Sequence, residues 1–212
     1  MSEDDDDAPA MPVPEHGLPA GTPVLTPTGE QPVEALAAGD LVIAVSGQGA
    51  PFQRILEIRR AVVPAALVRL RAGALAEGAP REDLLLPTGQ ALFVDGVLVQ
   101  AGALLGGPGA VLEQQAGLCE VFSLVLAGHD AVLAAGTPVE TAPPGLDVPA
   151  FAPRTGAEAW LRARLAWRAE AMGWAEALPD EAAAPGLDLA EELASSALAP
   201  ALPPSPFAGP GA

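Results

Sequence analysis

A single cysteine, Cys119, stands in the 212-residue chain, which excludes an internal disulfide framework and a cysteine-built zinc site. Tyrosine is absent, and five Phe and three Trp supply all the large aromatic surface. Lysine is absent as well: the ten basic residues are all Arg, set against 27 Asp and Glu, for a formal charge of −17. A chain this negative repels phosphate backbones and anionic headgroups, so neither nucleic acid nor a membrane surface is an expected partner. No apolar run reaches the roughly 18–20 residues that span a bilayer. The opening Ser2-Glu3-Asp4-Asp5-Asp6-Asp7 is the opposite of a basic n-region followed by an apolar stretch. An ordinary signal peptide is therefore not expected, which leaves a cytoplasmic chain or one secreted by a non-standard route. No cofactor or metal is expected either. Gly106-Gly107-Pro108-Gly109 lacks the following Lys-Ser/Thr of a phosphate loop, and its Pro removes an amide donor. The carboxylates Asp4 to Asp7 are consecutive, without the alternation and turn glycine of a calcium loop.

What the chain does have is short β-like runs with turn signals between them. Val24-Leu25-Thr26 precedes the turn Pro27-Thr28-Gly29, and residues 41–45 form a second run ending in glycines. Residues 52–63 suit a long, partly exposed strand pair, and 67–70 and 84–86 suit buried strands. Asp95-Gly96, between Leu92-Phe93-Val94 and Val97-Leu98-Val99, is a strong hairpin signal, because a type I′ turn needs positive φ at both positions. Residues 120–126 and 131–134 flank another turn. Strands this short and frequent predict an all-β compact domain.

The organisation read from these signals has five parts. Residues 1–16 form an acidic tail expected to be disordered, 17–142 the β-domain, and 143–155 a Pro-rich linker. Residues 156–198 form a helical segment, and 199–212 a disordered Pro-rich tail. In the helical segment Trp160, Trp167 and Trp174 recur every seven residues on one stripe, with Leu161, Leu165 and Met172 beside it. Arg164 falls between the stripes, close enough to lay its guanidinium on an indole, and Pro179 is expected to end the first helix. The stripe either docks on the β-domain or binds a protein partner through Trp160, Arg164, Trp167 and Trp174.

Gly21-Thr22 followed by Val33-Glu34-Ala35-Leu36-Ala37-Ala38-Gly39-Asp40 resembles the first block of the Hint domain, the self-cleaving module of hedgehog proteins and inteins. Arg69-Leu70-Arg71-Ala72-Gly73-Ala74-Leu75, Ala91-Leu92-Phe93-Val94-Asp95-Gly96-Val97-Leu98-Val99 and the stretch from His129-Asp130 to Val139-Glu140 resemble a bacterial subgroup of that family. The resemblance covers about residues 17–142 and implies a horseshoe-like β-domain. It also implies autoproteolysis or protein splicing: a Cys or Ser attacks its own preceding carbonyl, helped by a His that protonates the leaving nitrogen.

The resemblance places glycine and glutamine at those chemical positions. Spacing to Gly21-Thr22 puts the nucleophile at Gly17, which has no side chain. In Pro87-Thr88-Gly89-Gln90 the His position is Gln90, which donates a hydrogen bond but cannot deliver a proton near neutral pH. The expectation is a degenerate domain that does not cleave itself and acts as a protein-interaction or structural module; the alternative is an active domain cleaving near residue 17. Thr22 and His129 are nearby candidates for chemistry, and Cys119 and Thr26 more distant ones. Each also has a plain structural reading: Cys119 as a small buried residue opening a strand, His129 as a turn residue satisfying backbone groups. Asp40 and Asp95 read as turn carboxylates, and His16 as an exposed loop residue.

Overall fold

A computed structural model describes residues 16–45, 50–156 and 159–174. Within them the chain forms strands β1 (Leu18–Pro19), β2 (Pro23–Thr26), β3 (Gly29–Pro32), β4 (Leu41–Ile43), β5 (Phe52–Arg54), β6 (Glu57–Leu70) and β7 (Leu84–Pro87). It continues through β8 (Ala91–Val94), β9 (Val97–Gln100), β10 (Ala110–Val125), β11 (Ala131–Ala134), β12 (Thr137–Glu140) and β13 (Arg154–Thr155) to helix α1 (Ala159–Ala171). The architecture is all-β with a helix appended after the β-core, as the strand and turn signals indicate. All of the acidic tail 1–16 but His16, the second half of the helical segment and the last fourteen residues lie outside the described residues.

Turn chemistry fixes the short hairpins. Asp95 and Gly96 have φ of 48° and 87°, the two left-handed positions that join β8 to β9. Ala135-Gly136 makes the same kind of turn between β11 and β12 with φ of 48° and 76°. The sheets run β1-β10-β6-β7 and β13-β9-β8-β12-β11-β2-β3, with β4-β5 as a separate pair. Between them one apolar cluster includes Leu18, Val24, Leu70, Leu86, Leu92 and Phe122.

The longest pair departs from the strand lengths read off the sequence. β6 and β10 run antiparallel over 14 and 16 residues, so 57–63 and 67–70 are one strand and Cys119 lies well inside another. Pro64 and Gly117 look like breaks. Both sit at a register shift between Gln114 and Leu118, where an interrupted ladder needs no amide from Pro.

Helix α1 docks through its leucines. Leu161, Leu165 and Ala169 are buried, whereas Trp160 is 36% and Trp167 62% exposed. The stripe that packs is therefore not the tryptophan stripe; only Trp174, past the helix end, packs against the core. Gly107 makes room, since a Cβ there would stand 2.8 Å from Leu165 Cδ1. Arg164 Nε donates to Leu75 O at 2.8 Å and Arg168 Nε to Gly73 O at 2.9 Å, and Arg164 also pairs with Asp95. Arg164 is thus held by the body, while Arg168 lies over the Trp167 ring and Arg71 over that of Trp174. The helix stops at Ala171, before Pro179, because Gly173 takes φ of 67° and Trp174 N–H bonds Ala169 O at 2.8 Å.

The prolines of 143–155 do not keep that stretch off the body. β13 pairs in parallel with β9, Ala152 is buried, and the Phe151 ring lies 5.1 Å from that of Phe93.

Candidate functional site

Leu18 stands opposite Phe122 and Pro19 opposite Val121, so the same register carries Gly17 to Ser123. Gly17 is buried with φ of 122°, a conformation that residues with a Cβ rarely adopt. Its N–H donates to Gln90 Oε1 at 2.7 Å. A Cβ built on Gly17 would meet Val121 Cβ at 3.0 Å and Ser123 Oγ at 3.1 Å.

Gln90 sits in the turn before β8, and 3% of it is exposed. Its Nε2 donates to Ala91 O at 3.2 Å and to Glu140 O at 3.0 Å. The carboxamide therefore ties together the entry to β1, the start of β8 and the end of β12. Toward Gly17 it acts as an acceptor. Oxygen facing an amide N–H holds that proton in place and offers none to the nitrogen.

Beneath this bridge lies a buried ionic group. The Glu140 side chain is 5% exposed; its Oε1 lies 2.7 Å from His129 Nε2 and accepts from Arg154 Nη2 at 2.5 Å. His129, 3% exposed at its side chain, accepts from Phe151 N–H at Nδ1 across 3.4 Å. That assigns the ring proton to Nε2. The Nε2 approach to Glu140 is close but oblique, without a well-aligned hydrogen bond. Burial alone would push the Glu140 carboxyl up; the neighbouring His129 ring and Arg154 guanidinium outweigh it and hold the group below the usual carboxylate range.

Gly17, Gln90, Ser123, Glu140, Thr141 and Arg154 line a cavity of about 310 Å³ over an apolar floor that includes Leu18 and Phe122, and His16 stands exposed at its rim. Gly17 and Gln90 are thus brought together as their family positions imply, and His129 reaches the same group through Glu140. Ser123, Glu140 and Arg154 are additions that sequence reasoning missed. Glu140 ends a motif that carries the resemblance, but nothing in the sequence marks its burial. Ser123 is one hydroxyl in a strand of sixteen residues, and only the β1 register shows which one faces Gly17.

The other candidates are placed as structure. Thr22 Oγ1 donates to Pro19 O at 2.6 Å and Thr26 Oγ1 to Gly29 O at 2.6 Å. Asp40 Oδ2 accepts from Ala37 N–H at 2.8 Å and closes a turn. Cys119 is half-buried, away from the cavity, with its thiol pushed up by burial and then by the neighbouring Glu120 charge. Among the described residues there is no group of three or more potential metal ligands. No helix among them is long and apolar enough to cross a membrane.

An all-β scaffold that buries a peptide nitrogen of its own chain, against a side chain from a distant turn, defines a class of protein whose site is built around its own backbone. Residues 17–146 match the Hint domain family, and the chain belongs to it. Among solved structures it is similar to a bacterial intein-like domain from Clostridium thermocellum, with 20% identity, 60% of this chain and 99% of that one covered, and a TM-score of 0.49. It is also similar to the MchDnaB-1 intein, with 12% identity, 59% and 99% covered, and a TM-score of 0.41. For the gp41-1 intein the values are 12%, 58% and 96%, and 0.42. No curated protein matches the chain.

Proposed function

We propose that this chain is a degenerate Hint domain that does not cleave itself and acts as a protein-interaction module, presenting helix α1 on a stable β-scaffold. The observation that carries it is the bond from Gly17 N–H to Gln90 Oε1. The position that would attack has no side chain, and the position that would donate a proton accepts a hydrogen bond instead. On this reading residues 17–142 are the Hint β-domain, 143–155 the connection and 156–198 the appended helical segment. The exposed indole of Trp167 supports the interaction role, because Trp anchors interfaces more often than most residue types.

The experiment is a doubly tagged full chain incubated with dithiothreitol or hydroxylamine and weighed intact. The expected result is one uncut species. A cut between His16 and Gly17 would refute the reading.

One observation favours a second reading, residual cleavage near residue 17. The Ser123 hydroxyl stands 3.1 Å from the point a Gly17 Cβ would occupy. It is the weaker reading because a serine needs a base, and His129 is engaged by Phe151 and Glu140. If it holds, cleavage disappears in Ser123→Ala.

A further inference from the structure

We propose that the outer face of α1 binds a second copy of this chain, the two helices antiparallel about a two-fold axis passing by Ala166. This rests on the interaction-module reading and names the partner. The inner face is committed: Leu161, Leu165 and Ala169 are buried, and Arg164 and Arg168 are bonded to the Leu75 and Gly73 carbonyls. The helix is therefore a rigid part of the body, with its opposite face turned outward. That face carries Trp160, Arg162, Ala163, Ala166, Trp167 and Glu170, all exposed.

Its pattern is self-complementary. Arg162 and Glu170 lie four residues on either side of Ala166, about 6 Å each way at the helical rise. Turning the helix over about Ala166 sets Arg162 of one copy beside Glu170 of the other, and the symmetry makes that pair twice. Neither residue has an ion pair within its own chain among the described residues. The same operation turns the Trp167 indole of each copy toward Ala163 of the other. Large rings thus meet small residues, the arrangement that lets two helices approach. One Arg and one Glu make the face neutral although the chain is strongly acidic, so it suits an identical face better than a basic or an acidic partner.

The test is native mass spectrometry and light scattering on the full chain at high micromolar concentration. A dimer is expected. Trp167→Glu should give a monomer that melts as the parent does when the parent is diluted to its monomer, since that side chain faces outward. Arg162→Glu and Glu170→Arg should each weaken the dimer by about tenfold or more, and the double variant should return it to within about threefold, because the charges have only changed places. A monomeric parent, or a dimer indifferent to these substitutions, overturns the proposal. A monomeric parent that still captures a protein in a Trp167-dependent manner overturns self-pairing alone and leaves the interaction-module reading standing.

Discussion

Gly17 and Gln90 are joined by a 2.7 Å hydrogen bond in which the peptide N–H of the first is the donor and the carboxamide oxygen of the second the acceptor. The bond uses the glycine in two ways. Its φ of 122° aims the N–H at Gln90, and its missing Cβ leaves Val121 and Ser123 where they are. The site is shaped around the absence of a side chain.

Gly17→Ala should therefore lower stability by about 1–3 kcal/mol, from a strained backbone and a contact with Val121 at 3.0 Å. Gly17→Cys combined with Gln90→His should remain uncut, because the cysteine enters a backbone conformation that disfavours it. Denaturant melts check the first outcome and intact mass the second.

Gln90→Glu separates acceptor from donor. Glutamate can still accept from Gly17, but it faces the Ala91 and Glu140 carbonyls that Nε2 served. A cost of about 1–3 kcal/mol is expected at pH 7. Its folded pKa should rise above the unfolded value, since only the protonated acid can donate. The folded state then binds the extra proton, so the deficit is largest above the folded pKa and shrinks as pH falls. A deficit independent of pH between 4 and 8 would contradict this account of the bridge.

Much of the scaffold was legible because turn residues act locally. Asp95-Gly96 names its own hairpin, and the ordered blocks from Gly21 to Asp40 name the family. Gly17 and Gln90 follow from spacing within those blocks. What stayed hidden depends on distant partners. Ala135 takes a positive φ that alanine does not advertise, and Pro64 is tolerated only because a bulge on β10 faces it. Arg154 looks like part of a linker until β9 supplies an edge for it. The three tryptophans misled for a similar reason: periodicity shows that a stripe exists, and only the fit of Leu165 against Gly107 decides which stripe is inside.

That decision is measurable. Leu165→Ala removes a side chain that is 1% exposed and should cost about 2–5 kcal/mol. Trp167→Ala, at 62% exposure, should stay within about 0.5 kcal/mol in dilute solution, where the chain is monomeric. The reverse order in urea melts would mean that the helix docks by its tryptophans.

Acid should loosen the cavity through Glu140. Its carboxyl is held below the usual range by His129 and Arg154 against the opposing pull of burial. The unfolded chain binds the proton more readily, so folding stability rises with pH across this group. The contribution is fully present above the unfolded value of about 4.5 and is lost as pH falls through the lower, folded value. Glu140→Gln removes the titrating charge while keeping an oxygen near Arg154. At pH 7 the variant should be less stable by about 1–2 kcal/mol, toward the low end because the Arg154 side chain is 50% exposed. As pH falls below the unfolded value the gap should narrow, since the parent progressively protonates the same group. Other carboxylates titrate in both chains and cancel in the difference. Thermal melts of the pair from pH 3 to 7 therefore isolate this residue, and a gap that widened in acid would mean that the charge at 140 opposes folding.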